Sequence, residues 1–276
     1  MVGRRTMAFY GSTFIYDGVP SEEYNLQIIN FETGLQEGIS GGASTIIEEY
    51  QIHRPKAYFY KRTHDVPLEF EFIVGSCSSR TAVDFNSINK WLLGKSSYKK
   101  LQIVQSDLYN IYWNVIFTDA VPLYVGNLLY AIKYTAHCDS GFAWSLPETF
   151  YYTTSLSYTS QNIGNIFLDS AIDEYIYPII NVSMNNLGGD IWLSNLKDLD
   201  AFGAWRTVGF LNLQAYETFY IDNQNKIITS SLNNFKYSRL WDGRWFRLIN
   251  GINTLHLIGN ISSISVEYQV AKKVGV

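Results

Sequence analysis

One stretch, Thr81 to Phe117, limits what this chain can become, because a helical period there interrupts a sequence that otherwise alternates like β-strands. Thr81 followed by Asp84 has the form of a capping box, and Phe85, Ile88, Trp91 and Leu92 recur on one helical face. Gly94 follows as the expected C′ residue, with Lys90 and Lys95 near the negative end of the helix dipole. The spacing predicts one amphipathic helix over about 81–93. Leu101 and Ile103 then open a strand, a turn surrounds Ser106-Asp107, and Tyr109, Ile111, Trp113, Val115 and Phe117 alternate in a second strand. A helix with one apolar face must bury it, and the only partner nearby is sheet.

The rest of the chain is strand-like. Aromatic residues make up 16% of it, mostly Tyr and Phe, which together with Ile, Val and Thr pack well on a pleated surface. At 276 residues and 47% hydrophobic content the chain can bury a core, as one large β domain or two of ordinary size. Phe9 to Tyr16, closed by Asp17-Gly18, and Tyr24 to Phe31 read as paired strands. Residues 32–45, rich in Gly, Ser and Thr, read as an exposed arm. Strands resume at Ile46 to His53. In Leu68 to Val74, Leu68, Phe70, Phe72 and Val74 point inward while Glu69 and Glu71 point to solvent. Tyr130 to Cys138 alternates the same way.

Glu148 to Gln161, rich in Thr, Ser and Tyr, reads as a connection between domains at 1–147 and 162–276. Beyond it come eight short strand candidates: Tyr175–Val182, Ile191–Leu193, Phe210–Leu213, Glu217–Ile221, Lys226–Ser230, Trp245–Leu248, Thr254–Ile258 and Ile261–Val270. Separated by Asn, Gly and Asp turn signals, they describe a β-sandwich. No fixed-period repeat is present, which argues against solenoids and propellers.

Composition excludes several function classes. A formal charge of −4 does not suit a nucleic-acid surface, and the longest basic cluster, Lys95 to Lys100, reads as a solvated loop. No apolar run has the length of a membrane span or a signal-peptide core, so neither membrane insertion nor export by that route is expected. The start is expected at Met1 or at Met7, the latter leaving the first six residues as a loose tail. The two cysteines, Cys77 and Cys138, are expected as free thiols.

Chemistry is sparse. His53, His64, His137 and His256 are scattered without metal-ligand spacing, and no cofactor is implied. The stretch Asp222 to Asn225 lacks the glycine and closing glutamate of a calcium loop and reads as a hairpin turn. No nucleophile-elbow or nucleotide-binding motif occurs. Asp198 and Asp200 are the one pair that resembles glycosidase carboxylates, and nothing places them in a cleft. Trp192, Trp205, Trp241 and Trp245 are candidates for stacking on sugar rings, Trp205, Trp241 and Trp245 foremost, set against ordinary cross-strand packing of Trp241 and Trp245 around Asp242-Gly243. An enzyme is therefore not expected.

Several local signatures, taken in order, resemble the distal tail (Dit) proteins of long, flexible-tailed phages of Gram-positive hosts. They are Phe14-Ile-Tyr-Asp-Gly18 with Ser21 and Tyr24, Ile88-Asn-Lys-Trp-Leu92, Leu101, Tyr109 to Val115 with Trp113, and Phe142-Ala-Trp144. In the second half they are Asn162-Ile-Gly164, Pro178, Phe219-Tyr-Ile-Asp222 before Lys226-Ile-Ile228, and Phe246 to Asn253 with Gly251. Asn250 stands where a proline is expected, and Ser140-Gly141 replaces another proline. The resemblance implies a mainly β protein: an N-terminal β-sandwich or barrel-like domain with one helix, and a galectin-like antiparallel β-sandwich. It implies a homohexameric ring in the virion, at the distal end of the tail, made in the host cytoplasm. Its partners would be the tail tube protein, the tape-measure protein, the tail-associated lysin hub and a receptor-binding protein. The galectin sugar motif, H-x-N-x-R with a later W-x-x-E-x-R, is absent, so the shape alone does not imply carbohydrate binding.

Overall fold

A computed structural model describes residues 12–29, 45–49, 58–63, 66–80, 82–232 and 243–273. These fall into two compact units, one up to Ser145 that also takes in Lys272 and Lys273, and one from Leu146 to Ala271, so the second domain starts earlier than the expected 162 and ends before 276. The arm expected at 32–45 lies outside the described residues apart from Thr45, as do Thr81, Trp241, His53 and His64.

In the first unit the strands are β1 (Thr13–Tyr16), β2 (Val19–Pro20), β3 (Gln27–Ile28), β4 (Thr45–Glu49), β5 (Tyr58–Thr63) and β6 (Glu69–Arg80). Helix α1 (Ala82–Leu93) follows, then β7 (Lys99–Val104), β8 (Ile111–Val125), β9 (Leu128–Cys138) and β10 (Ala143–Ser145). One antiparallel sheet runs β2-β1-β7-β8-β9-β6-β3, β10 pairs with β8, and β4 and β5 form a separate two-stranded sheet. The long sheet curls: the Ile28 N–H of β3, at one end, donates to the Ser12 carbonyl just before β1, near the other, at 3.0 Å. Tyr24, expected in a strand, instead ends a 3-10 turn over Ser21–Tyr24, followed by Asn25 in the left-handed conformation.

Inside the curl the predicted alternation holds, with Phe72, Val74, Leu101, Ile103, Trp113, Val115, Phe117, Ile132, Tyr134 and Ala136 buried. The apolar face of α1 (Phe85, Ile88, Trp91, Leu92) belongs to the same cluster. Aromatic edges interlock there: Phe14 meets Phe72 at 5.0 Å and Tyr16 meets Phe117 at 4.9 Å, each ring edge-on to the other. Gly94 is not the left-handed cap that its position predicts, since its φ is not positive. Glycine is needed there because a Cβ would collide with the Lys90 carbonyl.

The second unit comprises β11 (Glu148–Thr153), β12 (Thr159–Leu168), β13 (Ile179–Met184), β14 (Gly189–Leu199), β15 (Trp205–Leu213), β16 (Thr218–Asp222), β17 (Ile227–Ser230), β18 (Gly251–Gly259) and β19 (Ile261–Tyr268). One sheet runs β11-β19-β13-β16-β17 and the other β12-β18-β14-β15, all pairs antiparallel. Ile180, Val182, Phe219 and Ile264 of the first share one buried cluster with Ile166, Leu193, Phe210 and Leu255 of the second, which makes this a β-sandwich. The segment 148–161, expected as a connection, supplies edge strand β11, with Thr149, Tyr151 and Thr153 exposed, a loop over 154–158 and the start of edge strand β12. Trp245–Leu248 is not a strand: only Leu248 pairs, in an isolated bridge with Ile176.

Candidate assembly surfaces and the buried polar network

Trp91, Leu92, Leu101 and Trp113 all lie in the first core, at 6% exposure or less, and build the domain rather than a surface. The Trp91 indole is held between two rings, 5.7 Å from Phe14 and 4.7 Å from Tyr24, with planes 7° and 11° apart. Its Nε1–H donates to the Tyr16 carbonyl at 3.3 Å. The neighbouring basic cluster is tied down rather than free. Lys95 and Lys99 reach Asp17 at 2.7 and 3.7 Å, and the hydrogen bond from Lys95 is the main reason the Asp17 carboxyl is held below its ordinary range.

In the second unit, Asn253 is fully buried and its amide is saturated. Its Oδ1 accepts from Asn195 Nδ2 at 2.7 Å and from the Ile249 N–H at 2.8 Å, while its Nδ2 donates to the Ile249 carbonyl at 2.8 Å. Gly251 takes φ 89°, which a side chain would strain, and so turns the chain back toward this amide. Asn250, in the place of the expected proline, grips the backbone of Ser170 by accepting at 3.0 Å and donating at 3.3 Å. Asp222 accepts from the backbone N–H and the side-chain amide of Asn225 at 2.9 and 2.8 Å, forming the hairpin turn that joins β16 to β17.

Asp198 and Asp200 are occupied separately. Asp198 is 4% exposed and takes a two-pronged bond from Arg247 at 2.7 and 2.9 Å, while the Arg247 guanidinium lies 3.4 Å from the Tyr175 ring centroid. Asp200 accepts from the N–H groups of Ala204 and Phe202, and these bonds hold its carboxyl below the usual range. A glycosidase acid needs the opposite shift. Among the described residues no group of three His, Cys, Asp or Glu side chains could hold a metal, and no helix is long and apolar enough to cross a membrane.

The tryptophan candidates separate. Trp245 is half-buried against the second core, whereas Trp205 is 54% exposed, with its ring 6.4 Å from that of His256. Trp241 lies outside the described residues.

Two hairpins of the first unit are surfaces that pattern reading missed. β8 and β9 extend beyond the core to a tight turn at Gly126-Asn127, where Gly126 takes φ 62°. Tyr124 and Val125 there are each 60% exposed, and Leu128 is 53% exposed. Consecutive strand residues face opposite sides, so both faces of the tip are open. In β4, Ile46 and Ile47 are likewise 56% and 48% exposed. The available signal was Val121 to Val125, where apolar residues outnumber polar ones and the alternation of the preceding strand is lost.

Residues 9–140 match a family model described as a phage tail protein N-terminal domain, and residues 142–268 match one described as a phage tail C-terminal domain. No curated protein matches the sequence. The Dit protein (gp 19.1) of phage SPP1, a paradigm of the hub adsorption apparatus in phages infecting Gram-positive hosts, has a similar fold: TM-score 0.65 at 13% identity, covering 94% of this chain and 98% of that one. A chain of the phage P2 baseplate in its activated conformation with Ca aligns with TM-score 0.53 at 12% identity, covering 94% of this chain and 97% of that one. The strontium form of that baseplate gives TM-score 0.51 at 13% identity, with the same coverage of 94% and 97%. With both units matched in order along nearly its whole length, the chain belongs to the phage tail protein family that the paired N- and C-terminal domain models describe.

Proposed function

We propose that this tail protein forms a head-to-tail ring at the distal end of the phage tail and serves there as the hub between tail tube and baseplate. The observation that carries the reading is the exposed apolar side chains on two ribbons of the first unit: Tyr124, Val125 and Leu128 at the tip of β8–β9, and Ile46 and Ile47 on β4. A two-stranded ribbon is marginal by itself in water, and apolar side chains on both of its faces call for cover by another chain. Two different open elements on one protomer suit a heterologous interface, which closes into a ring when the rotation permits. The likeness to the SPP1 and P2 proteins supports this placement, and six copies is the number the distal tail family implies.

In this reading the tail tube protein and tape-measure protein meet one side of the ring, and the lysin hub and receptor-binding proteins dock on the other. The protein works by shape and adhesion and catalyses nothing. Light scattering coupled to size exclusion tests the reading with Tyr124→Asp/Val125→Asp. These side chains lie outside the core, so the variant is expected to stay folded and become monomeric. A monomeric parent protein at high concentration would overturn the proposal.

A further inference from the structure

Independently of the ring, we infer that the loop end of the second unit is a docking surface for another protein of the phage tail, one that offers it a neutral, apolar pocket. Strand register brings four connections together there: 154–158 between β11 and β12, 185–188 between β13 and β14, 214–217 between β15 and β16, and Asn260 between β18 and β19. Hydrogen bonds tie them into one surface. Asn185 is the link: its Nδ2 donates to the Ser157 carbonyl at 2.8 Å, its carbonyl accepts from the Tyr216 N–H at 2.9 Å, and its N–H donates to the Asn260 carbonyl at 3.1 Å.

From this frame Leu156, Tyr158, Leu187 and Tyr216 project, each between 54% and 74% exposed. Four large apolar side chains on linked loops form a patch, unlike the single ones scattered over any surface. Tyr216 is held out at φ 58°, a conformation that is costly for a bulky residue and persists where the surroundings impose it. The turn beneath it is fixed by the buried Glu217, whose carboxylate accepts from the Gln214 N–H at 2.7 Å. The anchors are thus positioned before any partner arrives, which lowers the entropic cost of binding.

Composition decides the kind of partner. Apart from the buried Glu217, the four connections contain no Asp, Glu, Lys or Arg, and Asp190 at the adjoining strand end is engaged by the Asn212 N–H at 2.8 Å. Nucleic acids and anionic polymers bind through Lys and Arg, and neither stands in these loops. Tyrosines set among Ser, Asn and Gly, with no charge at the centre, are the composition of protein-recognition loops. Leucine has no flat ring to lay on a sugar, and Leu156 and Leu187 supply half of the anchors. A second copy meeting this end with its own would bring the same projecting side chains and no pocket to receive them.

The test is quantitative mass spectrometry of purified virions, parent against Leu187→Ser/Tyr216→Ser and against Leu156→Ser/Tyr158→Ser. Both variants are expected to stay in the particle and to lose one other tail protein by about tenfold or more, while the purified variants keep the parent's melting temperature and assembly state. Mixed with the parent protein, the depleted tail protein is expected to bind equally at low and high salt. Virions of unchanged composition, binding that salt abolishes, or parent particles that pair end to end through these loops would overturn the inference. A folded variant that no longer assembles with itself would do the same, because the loops would then belong to the ring. Ring formation by the parent is read separately, so a failure of the hub proposal is distinguishable from a failure here.

Discussion

Trp91 and Tyr24 stack with ring centroids 4.7 Å apart and planes 11° apart, and Phe14 closes the other side of the indole. The helix, the first strand and the turn after it are therefore fastened at one point. Trp91→Ala would open a cavity under all three and is expected to cost about 3–5 kcal/mol. Urea unfolding checks this, and an unchanged midpoint would show that the helix does not organise the first unit.

The Asp198–Arg247 pair is buried on the carboxylate side. Removing the arginine strands a charge, so Arg247→Met is expected to destabilise the second unit by roughly 3–5 kcal/mol. The double variant Asp198→Leu/Arg247→Met leaves no orphan and should be more stable than Arg247→Met alone. Additive losses in a double-mutant cycle would contradict the coupling.

Asn253 has no exposed surface and serves five polar contacts. Asn253→Ala leaves the Asn195 amide and the Ile249 N–H without their acceptor, at a cost of about 1–3 kcal/mol for each group left unsatisfied. Amide hydrogen exchange at Ile249 should accelerate in the variant even where global melting moves little.

Burial pushes the Cys138 thiol up to about 12, from an ordinary value of 9.0, with the nearby Asp139 charge adding to the effect. Burial likewise raises the Tyr16 and Tyr134 phenols. For groups whose folded pKa is raised, the stabilisation is full below the unfolded pKa and is lost as pH rises toward the folded one. Stability of the first unit should therefore be level through neutral pH and fall from about pH 9 upward. Denaturant midpoints at pH 7, 9 and 11 measure this. In the native state Cys138 should also resist thiol reagents at pH 8 that modify it once unfolded.

Much of this architecture is legible in the residues. The period of Phe85, Ile88, Trp91 and Leu92 gives the helix, and the alternation from Ile111 to Phe117 gives the inward face of β8, because in both cases one buried side repeats with the backbone period. Edge strands are harder to see. β11 shares a sheet with β19 and is built of strand-favouring Thr, Phe and Tyr, but only one side meets the core, so no aliphatic run sets it apart from the polar residues that follow it. Trp245 misled in the other direction: it was read as opening a strand over Trp245–Leu248, and the ring instead packs half-buried against the second core from irregular backbone. At the β8–β9 tip the loss of alternation from Val121 to Val125 was the only trace in the sequence, and that these side chains stay open rather than enter the core shows only in the fold.

Electron microscopy of the purified full-length protein reads the proposed ring itself. Particles with six-fold symmetry around a central channel are expected, lost in the Tyr124→Asp/Val125→Asp variant although it remains folded. Monomers without rings at high concentration, or rings that survive those two substitutions unchanged, would contradict the proposal.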